Sequence, residues 1–180
     1  MNNIKLIKGD ITNLDVDIIV NAANKSLLGG GGVDGAIHRK AGKQLLEECK
    51  TLHGCNTGEA KITNGYNLKA RKIIHTVGPV YYDGNRNEDE LLKNCYVSSM
   101  RLAEHYRINN NLDRVSIAFP CISTGIYHCP KDKASLIAFN TIKEINNQNI
   151  DVIFVCFEEE DYKLYSNLII SPEGKVEIKL

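Results

Sequence analysis

Three short stretches of the chain carry residues whose chemistry goes beyond packing. Asn21-Ala22-Ala23-Asn24 leads into Gly29-Gly30-Gly31-Gly32-Val33-Asp34-Gly35, and a third stretch reads Ser123-Thr124-Gly125-Ile126-Tyr127. Successive glycines carry no Cβ atoms, so their backbone can turn sharply and bring N–H groups against a ligand. The spacing Val33, Ile37, Ala41 is helical, so the glycine run ends where a helix begins, and the positive end of that helix faces whatever the glycines surround. A phosphate or diphosphate suits such a place. Ser123 and Thr124 supply hydroxyls and Gly125 a bare backbone. Tyr127 adds a ring just before Pro130, a residue suited to opening a helix over Lys131–Ile145. Two small-residue loops at one end of a sheet can wrap a diphosphate from both sides.

Single residues sharpen this reading. Asn24, beside the glycines, can donate and accept toward a sugar hydroxyl without net charge, whereas Asn21 at a strand end reads as a turn-former. Asp34 falls in the first turn of the helix, where a carboxylate is favoured whatever its function. Gly30 to Gly35 also fits G-x-G-x-x-G, the pattern of NAD-dependent oxidoreductases. That reading is disfavoured, because Asn24 to Leu28 separate strand from glycines and no strand ending in Asp or Glu follows about twenty residues later. No G-x-x-x-x-G-K-[ST] occurs either. Cys121, His128 and Cys129 lack the spacing of a zinc site. His75 reads as a satisfied core or edge histidine, and His38 as a surface residue of the first helix.

Apolar β-branched runs predict strands at Ile4–Ile7, Asp17–Asn21, Ala60–Thr63, Lys72–Val77, Arg114–Phe119 and Asp151–Cys156. Helical spacing marks Val33–Ala41, Lys43–His53, the stretch from Leu91 to Tyr106, and Lys131–Ile145. This alternation predicts an α/β domain with a largely parallel sheet covered on both faces. Ligands of such sheets bind beyond the carboxyl ends of the strands, where all three stretches fall, together with Gly9-Asp10-Ile11-Thr12. A chain of 180 residues makes one domain, expected over residues 1–170. The tail Ser171–Leu180 alternates Val176, Ile178 and Leu180 with charges, as an edge strand would.

Composition narrows the partners. Lys plus Arg number 22 and so do Asp plus Glu, so no overall positive field holds a nucleic acid, and an anion must be gripped locally. Apolar runs reach about five residues, far short of the ~20 that a membrane span needs. Six cysteines in a chain opening Met1-Asn2-Asn3, without the pattern of a signal peptide, lead to the expectation of a reducing, cytoplasmic setting.

Gly9-Asp10-Ile11-Thr12, Val20-Asn21-Ala22-Ala23-Asn24, Leu27 through His38, Thr57-Gly58-Glu59-Ala60, Ile74-His75-Thr76-Val77-Gly78-Pro79 and Ile122 through Tyr127 together resemble the macro domain family. Within it they resemble the MacroD type, the O-acetyl-ADP-ribose deacetylases and mono-ADP-ribosyl hydrolases. The resemblance runs from Ile4 to Tyr165 and breaks no motif. It implies a three-layer α/β/α sandwich with a mixed, mostly parallel sheet of about six strands. It implies a hydrolase that needs no cofactor and no metal. Its substrate would be O-acetyl-ADP-ribose or a protein with ADP-ribose esterified to Glu or Asp, and its expected state is a monomer. By resemblance, Asp10 accepts from the adenine amino group, with the Ile11 N–H nearby. Gly32, Val33, Ser123, Thr124, Gly125 and Ile126 hold the diphosphate through main-chain N–H groups. Asn24 bonds the distal ribose and Tyr127 packs against it. Asn24 and Asp34 are the catalytic positions, Asp34 orienting and deprotonating a water, with a substrate diphosphate oxygen as a second proton acceptor. His128 and Cys129 depart from the family pattern and change the wall at the distal ribose. The rival within the fold is a reader module that binds ADP-ribose without turnover.

Overall fold

The apolar β-branched runs form strands within two residues of their predicted ends in the computed structural model, which describes residues 3–170 and 178–179. They are β1 (Asn3–Lys8), β2 (Ile18–Ala23), β3 (Ala60–Asn64), β4 (Lys72–Val77), β5 (Val115–Phe119) and β6 (Ile150–Cys156). The helices are α1 (Gly32–Ala41), α2 (Lys43–Thr51), α3 (Glu88–Asn109), α4 (Lys131–Ile145) and α5 (Glu159–Ile170), with a 3-10 turn at Ile11–Asn13. The periodicity above does not predict α5. Three acidic residues open it, and its buried stripe is carried by Tyr165 and Ile169 beside a buried Asp161, a mixture with little apolar contrast. Of the tail Ser171–Leu180, only Ile178 and Lys179 lie within the described residues. They form β7, parallel to β1, and the rest of the tail lies outside what is described.

The sheet order is β3-β4-β2-β5-β6-β1-β7, parallel except where β3 runs against β4. Successive strand residues point to opposite faces. Ile18, Val20, Ile117 and Phe119 join the core beneath α3, α4 and α5, whereas Ile19, Ile73 and Ala118 join the core beneath α1 and α2. The three layers follow from this alternation. In the larger core the rings of Tyr96, Phe119, Phe154 and Tyr165 form a continuous line, with successive centroids 5.1, 6.2 and 4.9 Å apart. Each such ring, removed from water, contributes about 1.5–3 kcal/mol. Among the described residues no helix is long and apolar enough to cross a membrane.

Two consequences of this topology position the site. The chain leaves β2 toward α1 on one face, whereas it leaves β5 toward α4 on the other. The neighbouring carboxyl ends of β2 and β5 therefore carry loops that diverge, which opens a crevice between them. The connection from β4 to α3 then closes behind the β5 loop. Tyr81 donates its N–H to the Tyr127 carbonyl at 2.8 Å. A Cβ on Gly78 would stand 2.2 Å from Ser123 Oγ, so only glycine permits this approach.

The β4–α3 connection is built around Glu88. Its buried carboxylate accepts from the N–H groups of Arg86 at 2.6 Å, Tyr82 at 2.8 Å and Gly84 at 3.1 Å. Burial alone would raise its pKa, but these donors outweigh burial and hold it down at about 2. A depressed carboxylate pKa contributes stability that is complete above about pH 4.5, its ordinary value, and is lost as pH falls toward 2. Glu88→Gln is therefore expected to melt at a lower temperature at neutral pH, with the gap to the parent narrowing between pH 4.5 and 2. Melting curves of both proteins over that range check this, and a gap independent of pH contradicts it.

Candidate functional site

The glycine run begins with a turn that Asn24 makes. Its Oδ1 accepts from Ser26 N–H at 3.1 Å, Ser26 Oγ at 2.6 Å and Leu27 N–H at 3.2 Å, and its Nδ2 donates to the Gly29 carbonyl at 2.9 Å. Every bond that the Asn24 side chain makes here lies within its own loop. The chain then passes Gly30 and enters α1 with Gly31 as its N-cap, a residue with no side chain to satisfy the first N–H groups. A Cβ on Gly31 or Gly32 would meet no protein atom within 4 Å, so the uncapped helix end opens onto free space. At Gly35 a Cβ would come within 2.4 Å of the Gly30 carbonyl oxygen, so the loop folds back tightly on the helix it starts.

Across the crevice, the β5 loop closes on itself through Cys129 N–H to the Ser123 carbonyl at 2.8 Å and His128 N–H to the Gly125 carbonyl at 3.1 Å. Ser123 and His128 take positive φ values of 66° and 61°, which turn the backbone so that a Cβ on Gly125 also meets nothing within 4 Å. Thr124 Oγ1 donates to the Cys121 carbonyl at 3.3 Å, which steadies the loop from within. Ser123 Oγ is buried and without a partner. Ile126 is 82% exposed and Tyr127 half-buried. A helix start without a side-chain cap on one side and a bare-backbone loop on the other are the kind of main-chain surface that can hold an anion.

The carboxylate of Asp34 sits at the β2 side of this crevice and is buried. Its Oδ1 accepts from Asn21 Nδ2 at 2.8 Å and lies 3.4 Å from His38 Nε2, one turn along α1. Its Oδ2 faces the other way. It would lie 3.1 Å from a Cβ on Gly30, and Asn24 Nδ2 would lie 3.4 Å from the same point. One oxygen is thus anchored in the core and the other is turned toward the glycine loop.

Two expectations from sequence are corrected here. Asn21 is no turn-former. It lies within β2, on the face that Ile19 and Ala23 also occupy, and is fully buried under α1 where its amide meets Asp34. His38 is not a surface residue, because its i,i+4 relation to Asp34 turns it inward and leaves 14% of its side chain exposed. His75 is a satisfied core histidine, bonded to Asn21 and Thr63. Cys121, His128 and Cys129 do not converge. Cys121 Sγ lies 3.9 Å from Cys156 Sγ, Cys129 Sγ faces the Pro130 carbonyl, and His128 is exposed.

The remaining expected contacts lie at the far end of the crevice. Asp10 uses Oδ1 to accept from the N–H and Oγ1 of Thr12 at 2.9 and 2.7 Å, and this turn buries Ile11 while the Asp10 side chain stays exposed. Phe157, which the sequence reading overlooked, stands 79% exposed at the end of β6. The Gly9 N–H donates to the Cys156 carbonyl at 3.0 Å and so holds Phe157 beside the Asp10 turn. In sequence Phe157 merely ends the apolar run from Val152; only the strand end, known from the fold, reveals it as a bare aromatic face.

Known proteins agree with this architecture. Residues 20–138 match the family model of the Macro domain. The human ADP-ribose glycohydrolase MACROD2 is 54% identical over 90% of this chain, which corresponds to 38% of the human protein. The O-acetyl-ADP-ribose deacetylase of Escherichia fergusonii is 48% identical over 93% of this chain and 96% of its own length. The crystal structure of the Trypanosoma brucei macrodomain in complex with ADP-ribose superposes with a TM-score of 0.82 at 45% identity, covering 93% of this chain and 69% of that one. With the glycine loop, the β5 loop and the buried Asp34 in one crevice, the chain belongs to the macro domain family, in its MacroD-type branch.

Proposed function

We propose that this protein is a hydrolase of ADP-ribose esters, releasing ADP-ribose from acidic side chains of proteins, the acetyl group from O-acetyl-ADP-ribose, or both. The names of its relatives support the reaction class. The carrying observation within the chain is the division between the two Asp34 oxygens, with Oδ1 anchored by Asn21 and Oδ2 turned toward the glycine loop.

The ligand's shape fits the sheet. Strands lie about 4.8 Å apart, so the path from β2 across β5 and β6 to β1 spans roughly 14 Å along the carboxyl ends. An extended ADP-ribose lies along that path with adenine beside Asp10, Ile11 and the exposed Phe157 ring. Its diphosphate rests between the N–H groups of Gly32 and Val33 and those of Ser123 through Ile126. The distal ribose then lies by Asn24, Tyr127 and Asp34. Main-chain donors and a helix end hold the two phosphates without a cationic side chain, in keeping with the balanced charge of the chain.

Hydrolysis adds water across the ester, with one fragment leaving as a carboxylic acid and the ribose keeping its hydroxyl. Asp34 Oδ2 accepts a hydrogen bond from the water, orients it on the ester and takes its proton as the oxygen attacks. A substrate phosphate oxygen nearby is a second acceptor for that proton. Fixing the sugar against the loop of Asn24 makes the attack effectively unimolecular, an effect worth several kcal/mol when the geometry is tight. A reader module would need the diphosphate loops but no positioned carboxylate.

A time course on O-acetyl-ADP-ribose and on Glu-, Arg- and Ser-linked ADP-ribose is expected to show turnover of the esters alone. Binding of ADP-ribose with no release from any of the four contradicts the reading and identifies a reader. Asp34→Ala should keep ADP-ribose affinity and lose about 100-fold or more in kcat, the scale of removing a general base. Gly125→Glu should lose affinity and turnover together while still folding, because its side chain enters open space and brings a negative charge to the diphosphate. Titration calorimetry alongside initial rates separates the two variants, and parental turnover in Asp34→Ala contradicts the catalytic assignment.

A further inference from the structure

The polar cluster beneath α1 has a member that this reaction leaves unused. His75 is fully buried in β4, paired in register with Asn21 of β2, and far too deep to touch a substrate. The hydrogens of the cluster can be assigned in sequence. The Asn21 Nδ2 group has two, and a carboxylate oxygen has none to give, so the amide must face Asp34 with its N–H₂ end. The second hydrogen is then directed at His75 Nδ1, 3.1 Å away, which must accept it. The ring proton therefore sits on Nε2 and points to Thr63 Oγ1 at 2.9 Å, whose own hydrogen goes to the Asn64 carbonyl at 3.2 Å. Cys49 Sγ stands 3.9 Å from the same Nε2, at the limit of contact. Burial, reinforced by the neighbouring His38, lowers the pKa of the His75 ring to about 3 and keeps it neutral, so Nδ1 remains free to accept.

We propose that His75 is a positioning residue for the hydrolytic reaction: by accepting from Asn21 it fixes the orientation of that amide, and through it the rotamer of the Asp34 carboxylate. The inference rests on the role of Asp34 proposed above. With the ring proton on Nδ1 instead, two N–H groups would confront each other at 3.1 Å. Turning the amide to relieve this would set its oxygen against Asp34 Oδ1, and the repulsion would swing the carboxylate off its place. Thr63 favours the productive state, because its hydroxyl hydrogen goes to the Asn64 carbonyl and its oxygen is left to accept from Nε2. The Asn21 amide makes the shorter contact to Asp34 Oδ1, 2.8 Å against 3.4 Å for His38 Nε2, and His75 holds the amide that makes it.

Nitrogen-resolved NMR of the His75 ring in the intact, unmodified chain at neutral pH is expected to show a proton on Nε2 and none on Nδ1. The opposite tautomer, or a doubly protonated ring, overturns the proposal whatever the variants do. His75→Leu should lose about tenfold in kcat on an ADP-ribose ester, as small misplacements of a reacting group do, while its Kd for ADP-ribose stays within about twofold. His75→Asn, whose Oδ1 takes the place of Nδ1, should recover most of the lost turnover. Parental kcat in the leucine variant, or an asparagine variant no better than leucine, overturns it as well. If the leucine variant fails to fold, the ring resonances and the asparagine variant decide. Asp34→Ala in the same assay reports separately: its parental turnover would sink the functional reading and leave the tautomer result standing as a structural fact.

Discussion

One buried hydrogen bond, from the Asn21 amide to Asp34 Oδ1, joins β2 to the first helix and sets which carboxylate oxygen is anchored and which faces the glycine loop. A bond to a charged acceptor contributes about 1.5–3 kcal/mol, and removing the donor leaves a buried carboxylate oxygen short of a partner, which is the costlier half of the change. The rest of the crevice is arranged around this anchor. The missing Cβ of Gly30 leaves room for the second oxygen of Asp34 beside the loop, and the fold-back of Gly35 onto Gly30 keeps the helix start against it.

Strand order supplies the second constraint. Because β2 and β5 are neighbours whose connections diverge to opposite faces, two loops from distant parts of the sequence meet over one crevice. Each is braced from behind by a different device. The Asn24 turn braces the first, and the second leans on the β4–α3 connection, which the Glu88 carboxylate organises through three backbone donors. Both supports consist of backbone hydrogen bonds to a single side chain. The two loops themselves stay small-residue at Gly30–Gly32 and Ser123–Gly125 while hydrogen bonds around them hold their shape.

Much of this was legible in the sequence because the local signals agree with the tertiary outcome. Apolar β-branched runs, helical spacing and the glycine run followed by Val33-Asp34 all point to the strands, helices and helix start that form. What stayed hidden depends on partners remote in sequence. Asn21 looks like a turn residue until β4 is placed beside β2 and its amide is seen between Asp34 and His75. His38 looks exposed because the helix around it is rich in charge; only the position of α1 over the sheet turns it inward. Phe157 and α5 were missed for the opposite reason, since an apolar run and a mixed, acidic segment give no local contrast to mark an exposed ring or a helix.

Hydrolysis by Asp34 requires a bound sugar to meet its carboxylate. A crystal structure of the chain with ADP-ribose tests it without any substitution. The predicted complex has the diphosphate between the N–H groups of Gly32 and Val33 and those of the Ser123–Ile126 loop, with a distal ribose hydroxyl in hydrogen-bond reach of Asp34 Oδ2. A carboxylate turned away from the sugar, or a nucleotide held by one loop alone, would contradict it.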